Sequence, residues 1–421
     1  MRDKGSRLAL RAVTAVFTVI LLATNTWAVP REKVLHNFKL SNKEGNRPRS
    51  GLIFDAAGNI YGTTTIGGDT ACDFGCGTVF ELTPKADGGW TERVLHYFHP
   101  NGREGTAPDT ALIFDSAGDL YGTTTAGAAY GTGTVFELMP TTGGHWTAKV
   151  LHEFHPIVGD GEGSNGLIFD AAGNLYTSTA NGGAYGYGTV FELIPQAGGG
   201  WKGKVLHSFR RNGRGGEAPI GGVVFDAAGN LYGTTYFGGA YGSGTVFELT
   251  PNQGGGWGEI VLHHFNNNTN DGVYPSAGLI MDAAGNLYGT TYIGGAYRAG
   301  TVFELMPKAG GGWRETVLHS FNTDGFNPTG GLIMDAAGNL YGTTYENGAD
   351  PCGTAFELTP KAGRGWRQTV LHRFSNYKGG AQPFAGLTFD PVGNLFGTTI
   401  IGGAFGYGTV FEIIPLTSAL W

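Results

Sequence analysis

Residues 278–291 have the sequence Gly-Leu-Ile-Met-Asp-Ala-Ala-Gly-Asn-Leu-Tyr-Gly-Thr-Thr, and close variants of this phrase bring the number of copies to seven in 421 residues. The aspartates of successive copies are 53 to 60 residues apart: Asp55, Asp115, Asp170, Asp226, Asp282, Asp335 and Asp390. A period of that length, filled with short apolar segments and turn residues, is typical of a propeller or a similar repeat array. The repeat therefore predicts a single closed domain.

The composition agrees with an all-β array. Glycine accounts for 76 residues, and only 14% of the residues are charged. Many tight turns need glycine, whereas disordered chains carry more charge and less apolar surface. Composition therefore disfavours both a helical fold and a disordered chain.

One repeat contains four short segments suited to strands, shown here for the fourth copy. Asp226-Ala-Ala-Gly-Asn makes a tight turn, because Gly229 accepts a positive φ and the aspartate can hydrogen-bond the turn backbone. Gly, Pro or Asn bounds each segment, so four strands of about five residues make one antiparallel blade. The segments are residues 222–226, 231–236, 245–249 and 257–265.

The two ends of the chain complete each other. A tryptophan follows the third strand of every repeat, and the last of them, Trp421, lacks the Val-Leu-His strand that follows the others. A matching strand, Val34-Leu-His-Asn-Phe38, lies near the N-terminus, with Pro30 in the register of a tryptophan. We therefore predict an all-β, seven-bladed β-propeller of four-stranded antiparallel blades, closed by the N-terminal strand (residues 30–38) joining the C-terminal blade.

The predicted organisation is a signal peptide at residues 1–28 and a propeller at 29–421. The signal peptide rests on four basic residues before a short apolar run at 12–23, too short to span a bilayer comfortably. We expect secretion or a periplasmic location after cleavage near Ala28, with an uncleaved anchor as the alternative. The repeat cores lie near residues 51–98, 111–154, 166–209, 222–265, 278–321, 331–374 and 386–421, the last completed by 30–38.

Charge and cysteine usage limit the partners. Removing residues 1–28 would leave 23 basic and 33 acidic residues, a net charge of −10, which argues against nucleic acid or an anionic membrane surface as the partner.

The three cysteines are unequal in spacing. Cys72 and Cys76 could form a local disulfide in an oxidising compartment, and Cys352 would then be left over. The loop offers too few ligands for zinc, so we predict no metal and no cofactor, and we expect a monomer.

Two phrases resemble a known family. Leu-Ile-Phe-Asp-Ala-Ala-Gly-Asn (52–59) and Gly-Thr-Val-Phe-Glu-Leu-Thr-Pro (77–84) recur with little change, and they resemble the phrases of GloVer-type tandem-repeat proteins over residues 30–421. The Asp-x-x-Gly-Asn-Leu-Tyr hairpin is also similar to that of NHL-type propellers. The resemblance implies a secreted bacterial propeller and no established activity. Members differ in their C-terminal anchor, and no such segment is visible here, which favours release.

Histidines and glutamates recur with the repeat. An acid–base or metal role is conceivable for neighbouring His and Glu side chains, but seven equal copies do not make one asymmetric site. We interpret them as structural struts within or between blades. The histidines are His36, His96, His152, His207, His263, His319 and His372, and the glutamates are Glu81, Glu137, Glu192, Glu248, Glu304, Glu357 and Glu412.

Binding residues are sought where the copies differ. The loops between second and third strands carry aromatic residues, and the polar loops between blades carry carboxylates on the same face; such a surface suits sugar or protein recognition. Packing between blades is the alternative role for any one tyrosine. The candidates are Tyr130, Tyr185, Tyr187, Tyr236, Tyr241, Tyr292, Tyr297, Tyr345 and Tyr407, with Asp109 and Asp160.

The favoured function is a secreted, non-catalytic β-propeller that binds glycan or protein through its loop face. The partner would be a polysaccharide or a cell-surface protein. The alternative is a propeller enzyme, a polysaccharide lyase or lactonase-like hydrolase, using loop carboxylates such as Asp109 or Asp160 near the central channel. A structural surface protein without a small ligand is a third hypothesis.

Overall fold

A computed structural model describes residues 31–415 except 42, 69, 70, 73, 156–158, 347–351, 364, 376 and 377. The predicted signal peptide and Trp421 lie outside the described residues. Within these residues, all regular secondary structure is β, and its main strands form seven antiparallel sheets of four strands each. These sheets are the seven blades of a propeller, and they are numbered here in chain order.

The strands occupy equivalent positions in every blade. The first strands are Ile53–Phe54, Ile113–Phe114, Ile168–Phe169, Val224–Phe225, Ile280–Met281, Ile333–Met334 and Thr388–Phe389. The second are Ile60–Thr64, Leu120–Thr124, Leu175–Asn181, Leu231–Thr235, Leu287–Gly294, Leu340–Thr344 and Leu395–Thr399. The third are Thr78–Pro84, Thr134–Pro140, Thr189–Pro195, Thr245–Pro251, Thr301–Pro307, Thr354–Pro360 and Thr409–Ile414. The fourth are Trp90–Tyr97, Trp146–Glu153, Trp201–Ser208, Trp257–His264, Trp313–Ser320, Trp366–Arg373 and, for blade 7, Arg31–Asn37.

Short strands in the loops before and after the first two strands complete the pairing. They are Gly45–Asn46 with Ile66–Gly67, Gly105–Thr106 with Ala126–Gly127, and Gly216–Glu217 with Phe237–Gly238. Glu162–Ser164 and Gly272–Pro275 pair instead with the long second strands of blades 3 and 5.

The N-terminal strand closes the ring. Arg31–Asn37 pairs antiparallel with Thr409–Ile414, so blade 7 takes its fourth strand from the other end of the chain. Phe38 follows that strand fully buried and packs edge-on against Phe80 of blade 1, with ring centroids 5.2 Å apart. The predicted seven-bladed fold and its N-terminal closure are confirmed.

The core lies between blades, not within one. Each hydrophobic cluster combines residues of two neighbours, for example Tyr61 and Phe98 of blade 1 with Leu120 and Phe136 of blade 2. Both faces of every blade are therefore buried. This explains why the inner strands are nearly continuous apolar runs without polar alternation.

A tyrosine of the second strand ties each turn to the third strand. Asp55 Oδ1 accepts hydrogen bonds from the main chain of Ala57 and Asn59, and its Oδ2 accepts one from the Tyr61 hydroxyl at 3.0 Å. The same hydroxyl lies 2.8 Å from Oε1 of Glu81. Blade 7 breaks this pattern because Phe396 stands opposite Glu412, whose pKa is raised by burial.

Restoring the missing hydroxyl is expected to stabilise the protein. Phe396→Tyr would place a donor between Asp390 and Glu412 and raise the free energy of unfolding by about 1 kcal/mol, the usual net worth of a hydrogen bond. The matched change Tyr176→Phe removes such a donor from Asp170 and Glu192 and should cost about 1–2 kcal/mol. Denaturant unfolding of both variants measures the two effects, and equal shifts in the same direction would contradict the interpretation.

Blade 3 packs its core phenylalanine differently from the others. In blade 1 the ring of Phe80 lies over Gly62, where an added Cβ would be 2.7 Å from Cζ of the ring. Thr177 occupies that position in blade 3, and the ring of Phe191 lies over Gly203 of the fourth strand instead. A Cβ at Gly203 would be 2.5 Å from Cζ of Phe191. The glycine that makes room for the phenylalanine ring is therefore in the fourth strand in blade 3, whereas it is in the second strand in the other blades.

Candidate functional site

The segments that precede the first strands surround a cavity on the propeller axis. All seven blades contribute to it, and its volume is about 290 Å³. Main-chain hydrogen bonds such as Tyr236 N to Ala218 O, at 2.9 Å, hold the end of each second strand beside these segments. We call this opening the channel mouth. Its residues are 49–51, 109–111, 165–166, 220–222, 277–278, 329–331 and 384–386.

Two charged residues, Arg49 and Asp109, lie in the channel mouth, and neither is repeated in other blades. The Arg49 guanidinium lies over the ring of Phe384, 4.3 Å from its centroid, an arrangement that attracts a cation to the aromatic face. Its Nε is buried and has no hydrogen-bond partner. Arg49 therefore offers an unused donor beside an apolar wall.

Asp109 is the acidic group of the mouth. Burial raises its pKa to about 6, although the positive charge of Arg49 acts in the opposite direction. Among the described residues that line the mouth it is the one carboxylate, and none of them is a histidine. The two-group acid–base convergence that hydrolytic or lyase chemistry requires is therefore not formed by these lining residues.

An arc of tyrosines runs along one side of the mouth. Tyr236, Tyr292 and Tyr345 directly follow the second-strand Thr-Thr pairs of blades 4, 5 and 6, where other blades have Thr65, Thr125, Ala180 or Ile400. Tyr274 stacks on Tyr236 with ring centroids 4.9 Å apart and an interplanar angle of 16°.

The members of this arc are close enough to affect one another's ionisation. Burial raises the pKa of Tyr236, and the Tyr292 and Tyr274 hydroxyls add to the rise. Burial also raises the pKa of Tyr345, where Tyr292 acts in the same direction and Arg49 opposes it. The arc therefore continues from Tyr274 through Tyr345 to Arg49.

The other candidate tyrosines occupy two different environments. Tyr130, Tyr185, Tyr241 and Tyr297 are strongly exposed at one repeated position of the outer loops. Phe74 and Phe405 occupy the same position in blades 1 and 7. Tyr187 and Tyr407 instead pack, partly buried, against the hydrophobic clusters between blades. Of the predicted tyrosines, Tyr345 lies against the mouth, with its ring centroid 6.2 Å from that of Phe384, and Tyr292 and Tyr236 continue the arc away from it.

Asp160 is engaged within the fold. Its Oδ2 lies 2.8 Å from Nε2 of His152, and its Oδ1 accepts a hydrogen bond from the main chain of His155 at 2.7 Å. The side chain is buried. Of the two predicted loop carboxylates, Asp109 alone faces the mouth.

The repeated histidines and glutamates have separate partners. Each described third-strand glutamate stands opposite a second-strand tyrosine, or Phe396 in blade 7. Each histidine lies at the boundary with the next blade, with Nε2 facing a different carboxylate. The repeated histidines and the third-strand glutamates therefore do not pair with each other. The histidine pairs are His36–Glu92 (3.9 Å), His96–Glu104 (3.3 Å), His152–Asp160 (2.8 Å), His207–Glu259 (3.4 Å), His263–Asp271 (3.1 Å), His319–Asp324 (3.2 Å) and His372–Glu32 (3.6 Å).

The cysteines differ in their state. Cys72 and Cys76 form a disulfide with Cα atoms 5.4 Å apart. Cys352, at the place in blade 6 that Cys76 has in blade 1, is buried.

Sequence reasoning missed Arg49, Tyr274 and Phe384. All three lie in or near the segments that precede the first strands, which look like ordinary loop sequence. A signal was present: Arg49 and Phe384 each follow a proline at the same repeat position, and their identity changes from blade to blade. Tyr274 directly precedes the proline of this position in blade 5, and its φ of 60° is shared by the equivalent residues Arg47, Ala107, Ala218, Asn327 and Gln382.

A sequence profile described as the Gloeobacter/Verrucomicrobia repeat matches residues 18–223 and 259–420. The chain belongs to this repeat family. The resemblance stated from the two repeated phrases is thereby confirmed. A search of curated proteins finds no match to the chain.

This member of the repeat family is similar to several solved structures at low sequence identity. PorZ, described as a bacterial surface component of the type-IX secretion system of Porphyromonas gingivalis, is 14% identical with a TM-score of 0.52. That match covers 86% of this chain and 46% of PorZ. A gluconolactonase from Xanthomonas campestris is 15% identical with a TM-score of 0.40, covering 68% of this chain and 83% of the other. A luciferin-regenerating enzyme is 13% identical with a TM-score of 0.46, covering 92% and 96%. Among the described residues, no helix is long and apolar enough to cross a membrane.

Proposed function

We propose that this propeller acts outside the cytoplasm as a glycan-binding protein, and that an oligosaccharide chain binds across the channel mouth. The observation that carries the proposal is the tyrosine arc, which is confined to blades 4 to 6 and ends at Arg49. A feature that the repeat does not need in every blade is not explained by the scaffold. The predicted signal peptide and the Cys72–Cys76 disulfide support an oxidising compartment.

The chemistry of the mouth suits a sugar. Aromatic faces pack against the C–H surfaces of a sugar ring, and a few placed polar groups set its orientation. Tyr236, Tyr292 and Tyr345 would supply the faces. At the mouth, Asn165 Oδ1 and Thr329 Oγ1 would accept hydrogen bonds from hydroxyls, because the donors of these two side chains already bond to main-chain carbonyls. The Arg49 guanidinium, which lies over Phe384 at the mouth, would suit a uronic carboxylate or another acidic substituent.

Removal of single tyrosines from the arc is expected to weaken binding. Tyr292→Ala should reduce the affinity for a bound oligosaccharide about tenfold to thirtyfold, the effect of losing about 1.4–2 kcal/mol from a central contact. Calorimetric titration with neutral and uronic-acid oligosaccharides measures it. Arg49→Ala should reduce the affinity for the acidic set more than for the neutral set.

The outer loops supply a matched control. Tyr297→Ala removes the same side chain from the same blade, at a position that is 61% exposed and away from the mouth. It should leave the affinity unchanged. Equal losses in Tyr292→Ala and Tyr297→Ala would reject the mouth as the site, and binding of a cell-surface protein without any glycan would favour a protein ligand.

The raised pKa of Asp109 favours catalysis as a second candidate function. A buried carboxyl with a pKa of about 6 is suited to donate a proton near neutral pH. A polysaccharide lyase or lactonase-like hydrolase would consume the oligosaccharide during the titration, and Asp109→Asn would abolish that turnover while binding remained. If wild-type protein leaves every bound oligosaccharide intact, the enzyme hypothesis is wrong.

A further inference from the structure

The boundaries between neighbouring blades are unequal in their acidic residues. We call each boundary a seam and name it by its repeated histidine. Carboxylates reach the histidine from two repeat positions. One position is the loop eight residues after the histidine, and the other is the second residue after the tryptophan that starts the fourth strand of the next blade. The number of occupied positions decides the charge of the seam.

Four seams contain one carboxylate from these two positions. Glu104 and Asp160 come from the loop, and in those seams the fourth-strand position holds Ala148 or Gly203. In the His207 and His372 seams the carboxylate is instead in the fourth strand, as Glu259 and Glu32. There the loop position holds Gly215 or Gly380. The His319 seam has no carboxylate at either position, which hold Asn327 and Gln368, and its histidine faces Asp324 five residues further along the chain. In each of these five seams a single carboxylate lies 2.8–3.6 Å from the histidine Nε2.

The His36 and His263 seams contain both carboxylates. Glu44 and Glu92 accompany His36, and in each group all three side chains offer a ligand atom within 4.8 Å of the others. The second group is His263, Asp271 and Glu315. These are the two such groups among the residues that the structure describes. Each has one carboxylate more than the histidine needs.

Several of these atoms lack partners although they are buried. In the His36 seam, His36 Nε2, Glu44 Oε2 and Glu92 Oε1 are all buried without a hydrogen bond, and the Glu92 side chain is only 8% exposed. In the His263 seam the same holds for Glu315 Oε1. Burying an unpaired carboxylate is costly unless a cation or a proton neutralises it. Seams with one carboxylate also contain such atoms, for example His207 Nε2 and Glu259 Oε1. What sets the His36 and His263 seams apart is the second carboxylate beside the histidine.

We propose that the His36 and His263 seams bind a divalent transition-metal ion, Zn²⁺ or Mn²⁺, which joins neighbouring blades. One imidazole and two carboxylates form a ligand set that these ions accept. Ligand atoms about 2.1 Å from one tetrahedral ion are about 3.4 Å apart, so atoms that lie up to 4.8 Å apart need to close by up to about 1.4 Å. In each seam the histidine and the distant glutamate belong to different blades. The ion therefore crosses a blade boundary, and at His36 this boundary lies beside the closing strand.

The two seams differ in strength. Lys39 Nζ lies 2.8 Å from Glu44 Oε1 and already neutralises part of the acidic charge in the His36 seam. Within the described part of the chain no lysine or arginine pairs with Asp271. Main-chain donors of Asn266 and Gly272 fix its orientation at 3.0 and 2.7 Å. The His263 seam should therefore hold the ion more tightly, and Lys39→Ala should tighten binding in the His36 seam.

Metal stoichiometry tests the proposal. The full chain is freed of metal with a chelator, dialysed against Mn²⁺ or Zn²⁺, and analysed for bound metal and for the midpoint of thermal unfolding. We expect two ions per chain, one in Glu92→Gln, one in Glu315→Gln and none in the double variant. The metal should raise the unfolding midpoint of the wild-type protein but not that of the double variant.

Glu259→Gln is the matched control, because it removes the same type of side chain from a seam with a single carboxylate. It should retain two ions. Far-ultraviolet circular dichroism checks that each variant keeps the β fold. The proposal is overturned if the wild-type chain retains no ion in tenfold excess metal, or if the double variant retains as many ions as Glu259→Gln. Loss of an ion in only one of the single variants would confine the site to that seam and overturn it for the other.

Discussion

One added methyl group at position 203 is expected to destabilise the protein by about 1–3 kcal/mol, the usual cost of overpacking a core. The Cβ of Gly203→Ala would be 2.5 Å from Cζ of Phe191 and 3.2 Å from Cε1 of His152. Phe191 has no room to move toward the second strand, because buried Thr177 occupies the space that glycine leaves open in the other blades. Denaturant unfolding of the variant measures the loss.

A second substitution should rescue the first. Thr177→Gly restores the glycine that the other blades have, so the ring of Phe191 can return to the second strand and vacate the space over position 203. Thr177→Gly alone should be destabilising, since it adds a flexible glycine and opens a gap. Together with Gly203→Ala it should cost less than the sum of the two, with a coupling energy of about 1–3 kcal/mol.

The neighbouring blade provides the control for this cycle. Gly258 also lies in a fourth strand, but an added Cβ would have no atom closer than 3.4 Å. Gly258→Ala should therefore be neutral or stabilise the protein by up to about 1 kcal/mol. Strict additivity of Thr177→Gly and Gly203→Ala would show that Phe191 does not move between the two positions.

The repeat predicts the fold because its regularities are local. The turn that begins at Asp55, the proline that ends a strand and the tryptophan that begins the next are all set by neighbours in sequence, and seven copies leave little doubt about strand order. Ring closure follows from the number of strands, since the last repeat has only three and a matching fourth strand, Val34-Leu-His-Asn-Phe38, lies near the N-terminus. Blade count and closure therefore come from the sequence alone.

The candidate site could be predicted only in part, because its contacts cross the ring. Arg49 and Phe384 are 335 residues apart, and their contact depends on which side chains point into the mouth, which the repeat does not specify. Some histidine partners were missed for the same reason: His372 meets Glu32 from the opposite end of the chain. The sequence shows that blade 3 has Thr177 where the other blades have glycine and that it has a glycine at position 203. Only the structure shows that the two differences are related, because the ring of Phe191 lies over Gly203.

Removal of the closing strand is expected to abolish the folded monomer. A chain that begins at Lys39 would leave Thr409–Ile414 as an unpaired edge and would empty the fully buried position of Phe38 beside Phe80. Loss of a buried phenylalanine side chain alone typically costs about 3–5 kcal/mol, and an exposed apolar edge strand invites pairing between chains. We expect oligomers or aggregate in size-exclusion chromatography, where the full chain elutes as one species.

A peptide should repair this defect, because the closing strand is held by pairing and packing and needs no covalent link to blade 1. Adding a synthetic peptide of residues 31–40 to the refolding truncated chain is expected to restore a monomer with the unfolding midpoint of the full protein. The same peptide with Phe38→Ala keeps the backbone pairing with Thr409–Ile414 but lacks the ring that packs on Phe80, so it should restore much less. Equal rescue by both peptides would show that backbone pairing alone closes the ring, and a monomeric truncated chain with an unchanged midpoint would show that the propeller does not depend on this strand.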